Sequence, residues 1–215
     1  MPESDWEPLS AAVLAGGLSS RMGRDKALLP LHGGGPPLLK IVIEHLKRVA
    51  SDVFIVATGR PEYESFGVPV VPDDVVGGGA LAGIHAALRN ASQQHSLIVA
   101  CDMPFLNLAL LERLAREPRD YDVLVPLTPG ESKQRSDGLI YQTLHAIYSK
   151  TCLDSIERQL QSGRRQVIGF FPDVKVRTIR VGKNTHHDLD LMSFFNANNP
   201  EALALAAEME ARNEH

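Results

Sequence analysis

The sequence has little of what secreted, membrane-spanning or non-specific nucleic-acid-binding proteins need. Its two cysteines, Cys101 and Cys152, are too few for a disulfide framework. No apolar run reaches the roughly 18 residues that a membrane-spanning helix requires. The 22 basic residues are outnumbered by 26 acidic ones, so no binding of nucleic acid through general positive charge is expected. The N-terminus, MPESDWEPLS, is polar and acidic, unlike a secretion signal, and we therefore expect a cytoplasmic protein.

Linkers, low-complexity tracts and internal repeats are also missing from the sequence. The length of 215 residues compares with about 150 residues for a typical domain. The chain is 44% hydrophobic and 22% charged, which is typical of globular proteins and excludes disordered, collagen-like and coiled-coil chains. We therefore expect residues 1–215 to form a single domain.

Short apolar runs alternate along the chain with segments of helical periodicity. The runs lie at residues 11–15, 53–57, 68–71, 97–100 and 123–125. They show no polar alternation, which is typical of strands covered on both faces. The helical segments lie at residues 37–50, 81–91 and 108–116. This order predicts an α/β fold with a doubly wound, mostly parallel, Rossmann-like sheet, whose ligands bind beyond the carboxyl ends of the strands.

The pattern is looser after residue 138. An apolar and aromatic segment covers residues 139–148, and a helix is expected over residues 151–163. Residues 174–181 alternate as an edge or antiparallel strand does. Asn199 is expected to cap a last helix that has Pro200 at its first position.

The loop after the first strand, residues 14–26, reads LAGGLSSRMGRDK. Gly16 and Gly17 have no Cβ, so the backbone can approach a ligand closely there. Serine hydroxyls and N–H groups in such a loop donate to phosphate oxygens. Its cations are Arg21, Arg24 and Lys26. Because arginine forks and a lysine point charge suit a nucleoside triphosphate, the loop predicts a triphosphate site. The alternative is a tight turn with solvated charges.

The spacing within this loop excludes two common phosphate motifs. GxxxxGK[ST] is absent because Gly23 is followed by Arg24. GxGxxG is absent because Gly16 and Gly17 are adjacent. The loop therefore belongs to neither of these nucleotide-binding classes.

Asp102 directly follows the apolar run at residues 96–101 and is expected at the carboxyl edge of the sheet. A carboxylate beside a triphosphate suits Mg²⁺, which takes one or two carboxylates together with phosphate oxygens. The alternative is that Asp102 caps the helix that follows Pro104. His145 and Cys101 are expected to be packed core residues without a chemical role.

Four segments of the chain together resemble a known family. The pattern LAGGxSxRMGxDKALL is similar to the signature of the molybdenum cofactor guanylyltransferases, which belong to the nucleotidyltransferase superfamily. Further matches are GALAGI at residues 79–84, CDMP at 101–104 and FNANNPE at 195–201. The resemblance implies a nucleotidyltransferase fold, Mg²⁺ as cofactor, and transfer of GMP from GTP to molybdopterin with release of pyrophosphate.

The resemblance also implies roles for individual residues. The catalytic residues would be Arg21, Lys26 and Asp102, with Asp102 as the Mg²⁺ ligand. The nucleotide would contact Leu14, Ala15, Gly16, Gly17, Lys26, Asp73, Asp102 and Asn198. Guanine carries N–H donors and needs acceptors such as the Asp73 carboxylate; Asp74 is an alternative for this role, and either aspartate could be a solvated turn residue. The nucleotide-binding half would cover about residues 9–130, and the acceptor half about residues 131–215.

Two positions depart from the family pattern and leave alternatives open. Ala80 stands where the family often has proline, and Ala57 where guanylyltransferases can have asparagine. CTP in place of GTP, another phosphorylated acceptor, or a non-catalytic nucleotide-binding regulatory protein are the alternatives. Arg164 and Arg165 either receive an acidic pterin or are cations that favour a helix C-terminus. The resemblance also implies transient contacts with molybdenum cofactor biosynthesis proteins and with acceptor molybdoenzymes.

Overall fold

The structure, a computed structural model, describes most of the chain. The described residues are 6–16, 25–31, 34–73, 75, 77–131, 135–182, 191–197 and 200–213. Within them, no helix combines the length and the apolar character needed to cross a membrane.

Eight strands of the described residues form one sheet. They are β1 (Ser10–Leu14), β2 (Asp52–Val56), β3 (Val70–Val71), β4 (His95–Ala100), β5 (Val123–Pro129), β6 (Leu139–Tyr141), β7 (His145–Ser149) and β8 (Val176–Arg180). Their order across the sheet is β3-β2-β1-β4-β7-β5-β6, and β8 pairs with β5. The pairs β1–β2, β1–β4, β2–β3 and β5–β8 are parallel. The prediction of a mostly parallel sheet is confirmed.

The antiparallel pairs lie in the later part of the chain. β7 lies between β4 and β5 and is antiparallel to both, and β6 is antiparallel to β5. The apolar segment at residues 139–148 contains β6 and most of β7. The strand expected at residues 174–181 pairs with β5 alone within the described residues, as an edge strand does, but in parallel. The antiparallel alternative for this segment was therefore wrong.

Helices cover both faces of the sheet. The α-helices of the described residues are α1 (Leu38–Leu46), α2 (Gly79–Asn90), α3 (Leu108–Arg116), α4 (Leu153–Gln161) and α5 (Pro200–Asn213). On one face, Leu39 of α1 and Leu111 of α3 are buried in the same cluster as Val99 of β4. On the other, Ile84 of α2 and Ile156 of α4 share a cluster with sheet residues such as Ile98 of β4. Burying each such side chain contributes about 1.5–3 kcal/mol to the stability of the fold. Because helices cover both faces, the prediction of a doubly wound sheet is confirmed.

Three expectations that concern the second half of the chain have different outcomes. The helix expected over residues 151–163 is shorter, because a 3₁₀ turn at Lys150–Cys152 precedes α4. The expected cap of the last helix, Asn199, lies outside the described residues. The division of the chain into two halves near residue 130 stays a prediction.

The N-terminus of α3 is capped by Asn107, not by Asp102. The Asn107 side-chain oxygen accepts a hydrogen bond from the Leu110 N–H at 3.1 Å. Asp102 lies five residues before Asn107 and is not the N-cap of α3. The alternative role considered for Asp102 is therefore wrong.

Replacing Asn107 with alanine should lower the free energy of unfolding by about 1 kcal/mol, because the cap of α3 is lost. Asn107→Asp keeps an acceptor oxygen at the same position and should retain most of the stability. Urea denaturation followed by circular dichroism measures both variants. Equal losses in the two variants would contradict a capping role for the side-chain oxygen.

Candidate active site

The carboxyl ends of four parallel strands meet at one edge of the sheet. β1 ends at Leu14, and Ala15 and Gly16 follow it directly. Asp73 lies just beyond β3, and Asp102 just beyond β4. The sheet order β3-β2-β1-β4 therefore brings these predicted nucleotide-binding positions to the same edge. Gly17, Arg21 and Asn198 lie outside the described residues, as does Asp74, the alternative to Asp73.

Lys26 and Asp102 form an ion pair at this edge. The Lys26 ammonium nitrogen lies 2.6 Å from Asp102 Oδ2, and 76 positions of sequence separate the two residues. The side chain of Lys26 is 22% exposed and that of Asp102 is 10% exposed. Water screens a pair this shielded much less than it screens an open surface pair, so the attraction is correspondingly stronger. Two of the three predicted catalytic residues are therefore in direct contact.

The second carboxylate oxygen of Asp102, Oδ1, is buried. Within the described residues, no group donates a hydrogen bond to Oδ1. Leaving a buried acceptor unsatisfied costs about 1–3 kcal/mol, and more for a charged group. A carboxylate oxygen left in this way is suited to a cation that arrives with a ligand. The described part of the chain contains no group of three or more histidine, cysteine or acidic side chains that could hold a metal by itself.

The backbone on either side of Asp102 is fixed by neighbouring segments. The Cys101 N–H donates to the Leu14 carbonyl of β1 at 3.1 Å. The Asp102 carbonyl accepts from the Ala197 N–H at 2.9 Å. Ala197 belongs to the FNANNPE segment, so this hydrogen bond brings that segment beside Asp102. Asn196 of the same segment bonds to the Phe194 carbonyl of its own turn.

Lys26 is held in place by a network that sequence reasoning missed. It begins a 3₁₀ helix, Lys26–Leu28, whose N-cap is Asp25. One Asp25 oxygen accepts from the Ala27 N–H at 3.1 Å. The other accepts from the Tyr63 hydroxyl at 2.6 Å and lies 3.4 Å from the Arg60 guanidinium. An aspartate directly before a helical segment is a cap signal that was present in the motif; nothing in the sequence pointed to Arg60 or Tyr63.

Tyr63 is a structural part of this network. It is almost fully buried, and burial together with the neighbouring Asp25 carboxylate raises the pKa of its hydroxyl far above the usual range. The hydroxyl therefore stays protonated and donates to Asp25 at any working pH. This bond ties the 3₁₀ helix Pro61–Phe66 to the turn that carries Lys26.

Asp73 shapes the loop between β3 and α2. Its N–H donates to the Thr58 hydroxyl at 3.0 Å, and the hydroxyl donates to the Asp73 carbonyl at 3.1 Å. Its Oδ1 accepts from the Val75 N–H at 3.0 Å. Ala57, one of the two departures from the family pattern, is buried beside this loop, with its N–H bonded to the Val71 carbonyl at 2.9 Å. Asp73 thus holds the end of β2 and the start of the glycine-rich segment together.

Arg165 lies across the glycine-rich segment before α2. Its two terminal nitrogens would be 3.6 and 3.7 Å from a Cβ added to Gly77, which has a φ of +72°. The Arg165 side chain belongs to the turn after α4, and that turn is fixed by the buried Gln159 side chain, which donates to the Gln166 carbonyl at 2.5 Å. Arg165 is therefore at the ligand edge, beyond the end of α4 at Gln161. The general preference of cations for a helix C-terminus does not explain why Arg165 lies beside Gly77.

Two residues with potentially reactive side chains, Cys101 and His145, are buried in the core. Burial raises the pKa of the Cys101 thiol to about 12, with the Asp102 carboxylate adding to the effect, so the thiol stays protonated at neutral pH. Burial lowers the pKa of His145 to about 4, and its ring packs against Phe194 with 4.8 Å between the ring centres. The prediction that both residues are packed in the core is confirmed.

The sequence profile of the MobA-like NTP transferase domain matches residues 11–176. A curated relative from Pelotomaculum thermopropionicum, named "Probable molybdenum cofactor guanylyltransferase", is 38% identical over 201 residues, covering 93% of this chain and 92% of the relative. A relative from Desulfosudis oleivorans, named "Molybdenum cofactor guanylyltransferase", is 34% identical over 202 residues, covering 93% of this chain and 95% of the relative.

Solved structures show the same similarity. The crystal structure of molybdopterin-guanine dinucleotide biosynthesis protein A from Archaeoglobus fulgidus has a TM-score of 0.76 at 29% identity, covering 95% of this chain and 100% of that one. The 2-C-methyl-D-erythritol 4-phosphate cytidylyltransferase from Thermus thermophilus has a TM-score of 0.70 at 18% identity, covering 95% and 100%, and so shares the fold. The resemblance read from the four sequence motifs is confirmed, and the chain belongs to the MobA-like NTP transferase family of nucleotidyltransferases.

Proposed function

We propose that this protein is a molybdenum cofactor guanylyltransferase, which transfers GMP from GTP to molybdopterin and releases pyrophosphate. The observation that carries the proposal is the Lys26–Asp102 pair at the carboxyl edge of the sheet. It is supported by the curated relatives with this name, which the chain matches over nearly their whole length. In the reaction, an oxygen of the acceptor phosphate attacks the α-phosphorus of GTP. The bond between that phosphorus and the oxygen leading to the β-phosphate breaks, and pyrophosphate leaves.

The residues of the site provide positioning and charge neutralisation. The acceptor phosphate is already an anion, so the displacement needs no general base. The Lys26 ammonium, 2.6 Å from Asp102 and 22% exposed, is proposed to bind a phosphate oxygen of the nucleotide. Backbone N–H groups of the loop after β1 and the Arg21 side chain are proposed to bind the remaining phosphate oxygens. Fixed donors of this kind stabilise the developing charge without reorganising during the reaction.

Asp102 is the residue proposed to hold Mg²⁺. The fit rests on Oδ1, a buried carboxylate oxygen without a hydrogen-bond partner in the described part of the chain. Hard oxygen ligands of this kind, completed by phosphate oxygens, are those Mg²⁺ prefers. When bound, the ion would neutralise charge between the nucleotide and the attacking phosphate.

The base and the acceptor are both proposed to bind at this edge of the sheet. Guanine presents N1–H and amino donors, for which the Asp73 carboxylate and nearby carbonyl groups are acceptors. Arg165, at the glycine-rich segment, is proposed to attract the anionic acceptor. A cytoplasmic location and transient contacts with other cofactor-biosynthesis proteins or acceptor molybdoenzymes remain predictions from the sequence.

Lys26→Ala and Asp102→Ala should each lower turnover by a hundredfold or more, equivalent to about 3 kcal/mol of transition-state stabilisation. Steady-state kinetics with GTP and molybdopterin measures the loss. Lys47→Ala is the matched control, because Lys47 forms an exposed pair with Glu44 at 2.9 Å on α1 and its loss should leave turnover unchanged. Near-normal turnover in either site variant would remove that residue from the mechanism.

A panel of the four nucleoside triphosphates, each incubated with molybdopterin, tests the proposed reaction itself. Mass spectrometry of the products should show GMP added to molybdopterin, with pyrophosphate released. EDTA should stop the reaction and added Mg²⁺ should restore it. A CMP adduct would favour the cytidylyl alternative. GTP binding unaffected by Mg²⁺, without any product, would favour a regulatory protein.

A further inference from the structure

Lys26 lies next to a second shielded carboxylate, that of Asp25. Asp25 directly precedes Lys26 and caps the 3₁₀ helix that Lys26 begins. Its side chain is 10% exposed, the same fraction as that of Asp102. Besides burial, the negative charges of both aspartates raise the pKa of the Cys101 thiol and the Lys26 charge lowers it, so the three charged groups share one neighbourhood. Lys26 therefore lies close to both carboxylates, and Asp102 is the one that the proposed metal site needs.

The Asp25 carboxylate is bound by groups other than Lys26. Oδ1 accepts from the Ala27 N–H at 3.1 Å, and Oδ2 accepts from the Tyr63 hydroxyl at 2.6 Å. Both donors are neutral, so they satisfy hydrogen bonds without balancing the negative charge. Within the described residues, the ion pair that Asp25 makes is with the Arg60 guanidinium, 3.4 Å from Oδ2. Because a shielded carboxylate is costly without a cation, the charge of Arg60 is the one that Asp25 depends on.

The fold brings Arg60 to Asp25 from the neighbouring strand. β1 and β2 are adjacent and parallel, so their carboxyl ends lie at the same edge of the sheet. Arg60 follows the end of β2 and is the N-cap of the 3₁₀ helix Pro61–Phe66. The same guanidinium nitrogen also lies 3.6 Å from the Glu62 carboxylate, which is more exposed than that of Asp25. Water screens the charge of Glu62 more strongly, so the pairing with Asp25 is the stronger of the two.

Loss of the Arg60 charge would leave Asp25 as a shielded, unbalanced anion beside Lys26. Opposite charges attract strongly where little water screens them, so the Lys26 ammonium would be drawn from Asp102 towards Asp25. A triphosphate that binds at Lys26 would also meet one more unbalanced negative charge, which repels it. Both effects depend on the charge of Asp25, and both would disappear if that charge were removed together with the charge of Arg60.

We infer that Arg60 is a positioning residue for Lys26: by pairing with the Asp25 carboxylate, it leaves the Lys26 ammonium to Asp102 and to the triphosphate. Arg60 acts through Asp25 and needs no contact with the nucleotide. The inference rests on the proposed function, because it takes Lys26 as the lysine that binds the nucleotide phosphates. It adds a residue at the end of β2, outside the loop after β1, to those that control GTP binding.

Variants of the full chain at Arg60 and Asp25 test this inference. Arg60→Met removes the charge and keeps most of the length of the side chain, whereas Arg60→Lys keeps the charge. Asp25→Asn removes the anion and keeps an oxygen that can cap the same helix; it is made alone and together with Arg60→Met. Isothermal titration measures the dissociation constant for GTP in the presence of Mg²⁺ and without an acceptor. Turnover with molybdopterin and the melting temperature are measured on the same variants.

Arg177→Met is the matched control. The Arg177 guanidinium lies 2.9 Å from the carboxylates of both Glu117 and Asp120, so it also balances acidic side chains. Arg177 is near the start of β8, which is parallel to β5, and β5 and β4 are both antiparallel to β7. The start of β8 is therefore at the end of the sheet opposite the ligand edge.

Arg60→Met should raise the dissociation constant for GTP and lower turnover, each by about tenfold, because a shielded anion is left without its cation. Arg60→Lys should stay close to the wild type, since the charge is kept. The double variant Asp25→Asn/Arg60→Met should recover most of the loss seen in Arg60→Met, because the anion that Arg60 balances is gone. Arg177→Met should change neither GTP binding nor turnover.

A loss in Arg60→Met that Asp25→Asn does not recover would overturn the inference. Such a loss would make Arg60 a direct ligand of the nucleotide if the melting temperature is unchanged, and a structural residue if the melting temperature falls with it. Wild-type GTP binding and turnover in Arg60→Met would also overturn it. Failure of the proposed function looks different, because the wild type would then bind GTP but add no GMP to molybdopterin, and the titrations would still decide the role of Arg60. A wild type that does not bind GTP would overturn both proposals.

Discussion

The ion pair between Lys26 and Asp102 is the interaction on which the site depends. A carboxylate that is only 10% exposed is costly unless its charge is balanced, and Lys26 balances one of its oxygens at 2.6 Å. The other oxygen is left buried without a partner in the described part of the chain. The pair thus presents a cation that suits a phosphate and an anionic oxygen that suits a metal ion. Both are features that transfer of a nucleotide requires.

The fold supplies this contact through three separate segments. β1 and β4 are adjacent and parallel, so the loop after β1 and the residue after β4 emerge at the same edge. Asp25 then fixes the turn that carries Lys26, through the Ala27 N–H and the Tyr63 hydroxyl. On the other side, the Ala197 N–H holds the backbone of Asp102. Because each anchor comes from a different part of the chain, the pair is positioned by the tertiary structure and not by local sequence.

The sequence predicted the elements whose signals are local. Unbroken apolar runs identified the parallel strands, and the glycine-rich loop with Asp102 identified the edge where ligands bind. The contacts of Asp25 with Tyr63 and Arg60 were not predictable, since they join residues whose spacing follows no motif. The antiparallel insertion of β7 was also missed, because a strand buried on both faces has the same apolar pattern in either direction. Gly17, Arg21 and Asn198 are motif predictions that lie outside the described residues.

The central claim is that Lys26 and Asp102 act as one unit, and a double-mutant cycle on turnover tests it most directly. The variants are Lys26→Met, Asp102→Asn and the two combined, compared with the wild type at saturating GTP and Mg²⁺. Groups that act together lose their effect once, so the double variant should be little slower than the slower single variant. If the double variant instead loses turnover by the product of the two single losses, Lys26 and Asp102 act independently. That result would contradict the claim that they act as one unit.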